Sequence, residues 1–187
     1  MGRSWPYLVL LLPPLFWAGN FIVGRAFSAE LGAITMSFYR WLLALCLLAP
    51  FAYSRVRQEL PVILNHLPIL TMLALLSVAS FNVLLYLGLR NTEATNALLI
   101  NSSIPVWIVI FGVLFYNDSL TLRRGLGILI SLFGVGFLIF SGQSQGLTVN
   151  PGDLWVISSS IGWALYSLTL RKKPSDLSGL GFLAYIV

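Results

Sequence analysis

One arginine stands where an arginine is expensive. Arg40 falls inside the apolar stretch Leu31–Tyr53. Excluding it would leave Trp41–Tyr53, thirteen residues or about 20 Å of helix, too short for a hydrocarbon core about 30 Å thick. A guanidinium at such a depth costs roughly 2.5–3.5 kcal/mol on insertion scales and normally faces the interior of a helix bundle. There it would attract a carboxylate or another anionic group of a small molecule. Two readings use the residue without a ligand: the side chain reaches back to the outer interface, or it bonds helix-end carbonyls and locks the bundle.

Aromatic and polar residues inside other apolar stretches accompany it. Trp17, Asn20, Trp163 and Tyr166 would make an aromatic wall with a few polar groups, which suits an amphipathic metabolite; packing or an interfacial belt is the plainer explanation. Asn82 and Tyr86, four apart, share a helix face, and Asn101 and Ser102 lie in the next stretch. Such groups point inward because lipid cannot satisfy them, and interhelical hydrogen bonding explains them as well as substrate contact does. Pro13-Pro14 and Pro105 free backbone carbonyls in two stretches, as interruptions beside transporter cavities do.

Other chemistry is missing. The chain has one Cys, Cys46, and one His, His66, so it can form no intrachain disulfide and no Cys/His metal cluster. No nucleophile-base pairing or phosphate loop is legible, and no cofactor is expected. An enzyme is disfavoured. Glu30, Glu59, Glu93, Asp118, Asp153 and Asp176 all fall at the ends of apolar stretches or between them. The visible chain therefore gives no support for proton coupling through an intramembrane carboxylate; a facilitated carrier, or coupling housed elsewhere, stays open.

The elements that must hold these residues follow from composition. Of 187 residues, 58% are hydrophobic and 9% charged, where soluble domains carry roughly 25% charge. Mean hydropathy is +0.88. A soluble fold of this length cannot bury so much apolar surface. Net charge is +5, but the basic residues sit in short gaps, where membrane topology explains them better than nucleic acid does.

Runs of about 20 apolar residues predict spans at Tyr7–Phe27, Leu31–Tyr53, Ile69–Leu89, Ala94–Tyr116, Leu122–Phe140 and Leu154–Leu170, with a half-length stretch at Leu177–Val187. Period-two alternation is absent, so the class is an all-α integral membrane bundle rather than a barrel. The first run also resembles a signal peptide, with Ala26-Phe-Ser28 as its cleavage site, but the recurrence of that run later in the chain argues against removal. Arg3, Arg55, Arg57, Arg123, Arg124, Arg171, Lys172 and Lys173 share one side of this topology, against Arg25 and Arg90 on the other. That bias places the N-terminus in the cytoplasm, in a bacterial inner membrane.

Sliding the chain on itself by 146 places matches Trp17-Ala18 with Trp163-Ala164, Arg25 with Arg171, Glu30 with Asp176 and Tyr39 with Tyr185. Five spans separate the copies, so the second enters the membrane from the opposite face. Such inverted repeats accompany alternating access around a midplane site.

Trp17-Ala-Gly-Asn20, Tyr39-Arg40-Trp41, Ser103-Ile-Pro105, and Asn117-Asp-Ser-Leu-Thr121 followed by Gly125, Gly127, Gly134 and Gly136 together resemble the EamA-like transporters of the drug/metabolite superfamily. The resemblance implies ten helices in two inverted five-helix units that move metabolites, amino acids among them. Residues 1–142 would be the first unit and 143–187 the start of the second. The chain would then stop inside its seventh helix, and an incomplete sequence is expected rather than a naturally short protein, since a half-length segment is poorly anchored. Gly127, Ser131 and Gly134 give the fifth span a small-residue face that permits close helix contact, within the chain or in a homodimer. A non-transporting assembly subunit and a membrane-embedded enzyme are the alternatives to a carrier.

Overall fold

In a bilayer every backbone group must be satisfied within the protein, which leaves helices as the economical solution for apolar segments of this length. The computed structural model describes residues 9–27, 30–141 and 150–187, and all its regular elements there are helical. They are α1 (Leu12–Phe27), α2 (Ala33–Asn65), α3 (Leu67–Ala74), a π-helical turn (Leu75–Ser80), α4 (Phe81–Leu89), α5 (Ala94–Asn101), α6 (Ile104–Tyr116), α7 (Leu122–Ser141), α8 (Pro151–Thr169), a 3-10 turn (Leu170–Lys172) and α9 (Gly179–Ile186). Arg3, the start of the first expected span, the Ser28 cleavage position and the unit boundary at 142 lie outside the described residues.

Three described helical rods are long and apolar enough to cross a membrane: Ala33–Asn65, Leu67–Leu89 and Ala94–Tyr116. The expected span Leu154–Leu170 is an intact helix, but Asp153 and Ser158-Ser-Ser160 dilute its apolar character. The second span departs from expectation, because α2, which contains Pro50, runs twelve residues past Tyr53, through Pro61, to Asn65. A gap read from charge alone is in fact helix. Arg55 pairs with Glu59 one turn on at 3.7 Å, an arrangement that supports a helix. The fourth span keeps its expected bounds but breaks at Ser102 and Ser103 into α5 and α6, with Pro105 in the first turn of α6.

Local signals end the helices. Asn117 closes α6 in the left-handed region, φ 54°, which Asn tolerates, and the Asp118 N–H returns to Gly112 O at 3.1 Å. Asn150 caps α8 by accepting from Gly152 N at 2.8 Å, with Pro151 in the first turn. Ser178 caps α9 through Gly181 N at 3.0 Å.

Two apolar clusters form the interior. Phe21, Phe81, Leu85, Tyr86, Leu89, Ala97, Ile100 and Val156 join α1, α4, α5 and α8. Ile63, Leu70, Leu73, Leu177, Phe182 and Ile186 join the end of α2 to α3 and α9. Outside these, Leu15, Ile22, Phe38, Leu126, Leu129, Ile130 and Phe133 face outward, the distribution a lipid-facing surface requires.

α8 lies close against α4 through facing glycines. A Cβ on Gly88 would stand 2.6 Å from Val156 Cγ2 and 2.8 Å from Gly152 O, and one on Gly152 would stand 2.7 Å from Gly88 O. Only glycine permits this separation. Buried Thr92 donates to Asp153 at 2.6 Å, and Asn150 donates to Asn91 O at 2.5 Å. At the same end Arg25 donates to Leu89 O at 2.6 Å and to Arg90 O at 2.8 Å, satisfying carbonyls that α4 leaves open.

The opposite end of α8 is held by exposed charge. Arg171 donates to Asp118 through both amino groups, at 3.1 and 2.8 Å, and stacks over Tyr116 at 5.1 Å. The hydrogen bonds from Arg171 hold the Asp118 carboxyl below the usual carboxylate range. Nearby, the largely buried Glu59 carboxylate accepts from Ser178 Oγ at 3.0 Å and from its N–H at 3.3 Å, placing negative charge at the N-terminus of α9.

Candidate functional site

The apolar interior opens where α1, α2, α4 and α8 converge. Pro13, Phe16, Trp17 and Asn20 of α1, Arg40 and Trp41 of α2, Phe81 and Asn82 of α4, and Trp163 of α8 line a cavity of about 240 Å³. A neighbouring space of about 370 Å³ shares Phe16, Asn20 and Arg40 and adds Gly19, Val23, Met36 and Tyr86.

Helical spacing puts these residues there. Phe16 and Asn20, four apart, share a face of α1. The π-helical turn before α4 re-phases that rod, and Asn82 holds the wide turn by donating to Ser77 O and Val78 O, each at 3.3 Å. Ser77 Oγ donates to Leu73 O at 2.7 Å. Turns of this kind recur at functional sites because they redirect the side chains that follow. Phe81 and Asn82 follow directly, and Tyr86 lies one turn further on.

One wall is aromatic. Trp17 and Trp163 meet edge to face at 5.4 Å and 84°. Phe81 packs 4.7 Å from Trp163 and 6.2 Å from Trp17. Such offset contacts suit the ring quadrupoles. Trp17 and Trp163 are one of the pairs related by the 146-place repeat.

The other wall is polar. Arg40 donates through one amino group to Asn20 Oδ1 and to Tyr86 Oη, the latter at 2.7 Å. Tyr86 Oη donates to Asn20 Oδ1 at 2.9 Å. The side chain thus reaches toward α1 and α4 while remaining exposed. The bonds to helix-end carbonyls are made instead by Arg25. The Arg40 guanidinium also lies 5.4 Å from the Trp41 ring centre, and Trp41 Nε1 is buried with no hydrogen-bond partner. Among the described residues no carboxylate lines either cavity.

Six residues singled out by sequence therefore gather here: Trp17, Asn20, Arg40, Asn82, Tyr86 and Trp163. Tyr166 sits beside Trp163 at 5.1 Å but packs toward the second apolar cluster rather than the cavity. Asn101 is buried against α8, where Ser160 Oγ lies 3.5 Å from its Oδ1 and its Nδ2 has no partner; it lines neither space. Phe16, Trp41 and Phe81 complete the walls. The Tyr39-Arg40-Trp41 motif pointed at Trp41, whereas apolar Phe16 and Phe81 are indistinguishable in sequence from lipid-facing neighbours. Gly127 and Ser131 line a separate space with Ser102, Pro105 and Arg124, and a Cβ on Gly127 or Gly134 would meet nothing within 4 Å.

Comparison with known proteins gives these features a context. The model of the EamA-like transporter family matches residues 4–140. An uncharacterized transporter of Archaeoglobus fulgidus is 29% identical over 172 residues, covering 91% of this chain and 58% of that protein. An S-adenosylmethionine uptake transporter of Rickettsia felis is 22% identical over 189 residues, 99% of this chain and 60% of that protein. Protein WALLS ARE THIN 1 of Arabidopsis thaliana is 31% identical over 124 residues, 65% of this chain and 32% of that protein. The chain spans about half the length of the curated relatives it matches. No solved structure matches it. With most of its length, and the whole of the expected first unit bar its margins, under one family model, the chain belongs to the EamA-like transporter family.

Proposed function

We propose that this protein carries small organic metabolites, amino acids or related compounds among them, across a bacterial inner membrane by alternating access. The supporting observation is the meeting of repeat-related Trp17 and Trp163 at one cavity, beside an arginine bonded to α1 and α4. Residues 1–142 are the first of two inverted units and 143–187 the start of the second. The match to the family model over 4–140 supports the first of these. Carriers built this way place the site where the repeats meet. Trp17, Phe81 and Trp163 contact the apolar body of the substrate; Asn20, Arg40, Asn82 and Tyr86 supply its polar contacts. Asn101 and Tyr166 stand behind this layer and support α8.

The N-terminus is cytoplasmic in this account, as the charge bias requires, so a reporter fused after Lys173 registers cytoplasm; a periplasmic signal there reverses the topology. The open face of Gly127 and Gly134 on α7 accommodates a second copy, and a cross-link between cysteines at Gly127 of two protomers would report it.

The test is a flux screen on the full-length protein in sealed vesicles with amino acids and amphipathic metabolites. Saturable movement, lost in Trp17→Ala or Trp163→Ala protein that remains folded, is the expected result. Absence of movement for every compound by folded protein favours an assembly subunit instead.

A further inference from the structure

We infer that the cavity selects carboxylates, and that Asn20 and Tyr86 are positioning residues that orient Arg40 to do so. The assignment rests on the carrier reading above and names the charge class of its substrate. A guanidinium carries five N–H donors in a planar fork. In Arg40 one amino group is committed to Asn20 Oδ1 and Tyr86 Oη. The Nε and the second amino group have no hydrogen-bond partner among the described residues, and these donors lie along one edge of the plane. That edge matches the two oxygens of a carboxylate, which accepts two parallel hydrogen bonds from it.

The surroundings favour the same head group. The acceptor oxygens of Asn20 and Tyr86 are already taken by Arg40. Asn82 spends its donors on the π-helical turn. The buried Trp41 indole N–H is a further donor without a partner. Among the described residues no Asp or Glu lines either space. The free polar capacity at this wall is therefore mainly donating, with Asn82 Oδ1 the acceptor left beside it, and the local charge is positive. A cationic head finds no counter-charge there, and a neutral amide brings one carbonyl oxygen where the guanidinium edge offers two parallel donors. The aromatic trio of Trp17, Phe81 and Trp163 takes the apolar remainder.

The inference is tested with three molecules of nearly equal shape: 3-phenylpropionate, 3-phenylpropanamide and 3-phenylpropylamine. Their binding to purified full-length protein at neutral pH is measured by calorimetry. Wild type is expected to bind the carboxylate at least about tenfold more tightly than the amide or the amine, the scale of a charge-assisted hydrogen bond. Arg40→Lys keeps the charge but loses the fork, and is expected to weaken carboxylate binding about tenfold while leaving the weak amide binding unchanged. Tyr86→Phe is expected to narrow the carboxylate-to-amide ratio without abolishing binding, which a purely structural role would not do selectively. Equal binding of the three compounds by wild type, or no binding of the carboxylate, overturns the inference and needs no variant to fold. The carrier reading fails separately, if the flux screen finds no saturable movement of any compound.

Discussion

Replacing Gly88 by alanine tests whether the close seam between α4 and α8 holds the cavity together. The new Cβ would lie 2.6 Å from Val156 Cγ2, 2.8 Å from Gly152 O and 3.2 Å from Val156 N. Two of those obstacles are backbone, so no side-chain rotation relieves them and the helices must part. Overpacking of this kind costs about 1–3 kcal/mol, and a backbone obstacle puts the cost in the upper part, about 2–3 kcal/mol. Alanine also favours helix over glycine by up to about 1 kcal/mol, which would mask part of the effect. Gly162, buried in α8 with nothing within 4 Å of its ideal Cβ, supplies the control. Gly162→Ala keeps the propensity gain and avoids the clash, so the difference between the two variants isolates the seam. At about 2–4 °C per kcal/mol, Gly88→Ala should melt about 4–12 °C below Gly162→Ala. Detergent-solubilised protein, heated and then scored for the monodisperse fraction, gives both midpoints. Equal midpoints, or a lower one for Gly162→Ala, would refute the packing argument.

Two further outcomes follow from the ends of α8. Thr92→Val removes the hydroxyl that donates to buried Asp153 at 2.6 Å, and should destabilise the protein by about 1–3 kcal/mol through an unsatisfied polar group; Thr92→Ser should restore most of it in the same melting assay. At the other end the Asp118 carboxyl is lowered chiefly by its hydrogen bonds from Arg171, so its contribution is present above the ordinary carboxylate value and is lost as pH falls through the lowered one. Protection from hydrogen exchange in the 117–121 turn, taken relative to the intrinsic rate at each pH, should fall on acidification below about pH 4 and with added salt, since the pair is exposed. Asp118→Asn should exchange fast throughout and lose that pH dependence.

The membrane class and most helix positions were legible because lipid imposes one strong rule, an apolar run of fixed length. The same rule hid what lies inside each run. The polar segment after Tyr53 reads as a loop, yet Arg55, Glu59 and the packing of Ile63 against α9 keep it helical. The π-helical turn at Leu75–Ser80 has no signature in an apolar string; only the buried Asn82 that satisfies its carbonyls hints at it. In the cavity, Arg40, Asn20, Tyr86, Trp17 and Trp163 were findable because polar groups and tryptophans stand out against aliphatic neighbours. Phe81 was not, because a phenylalanine facing lipid and one facing a cavity read alike, and Phe16, which borders both spaces while staying exposed, reads the same way. Asn101 and Tyr166 stand behind the cavity wall rather than in it, a difference that spacing along a helix, which gives a face and not a depth, does not reveal.

Substrate protection at the cavity wall tests the central claim most directly. In a protein with Cys46 replaced by alanine, a single cysteine at Phe16, which borders both spaces, is labelled with a water-soluble thiol reagent; a cysteine at exposed Ser119 in the α6–α7 turn serves as reference. Transported compound should slow labelling at position 16 saturably, with the concentration dependence of its flux, and leave position 119 unaffected. Identical labelling rates with and without a compound that the protein demonstrably moves would contradict the account and put the transport path elsewhere.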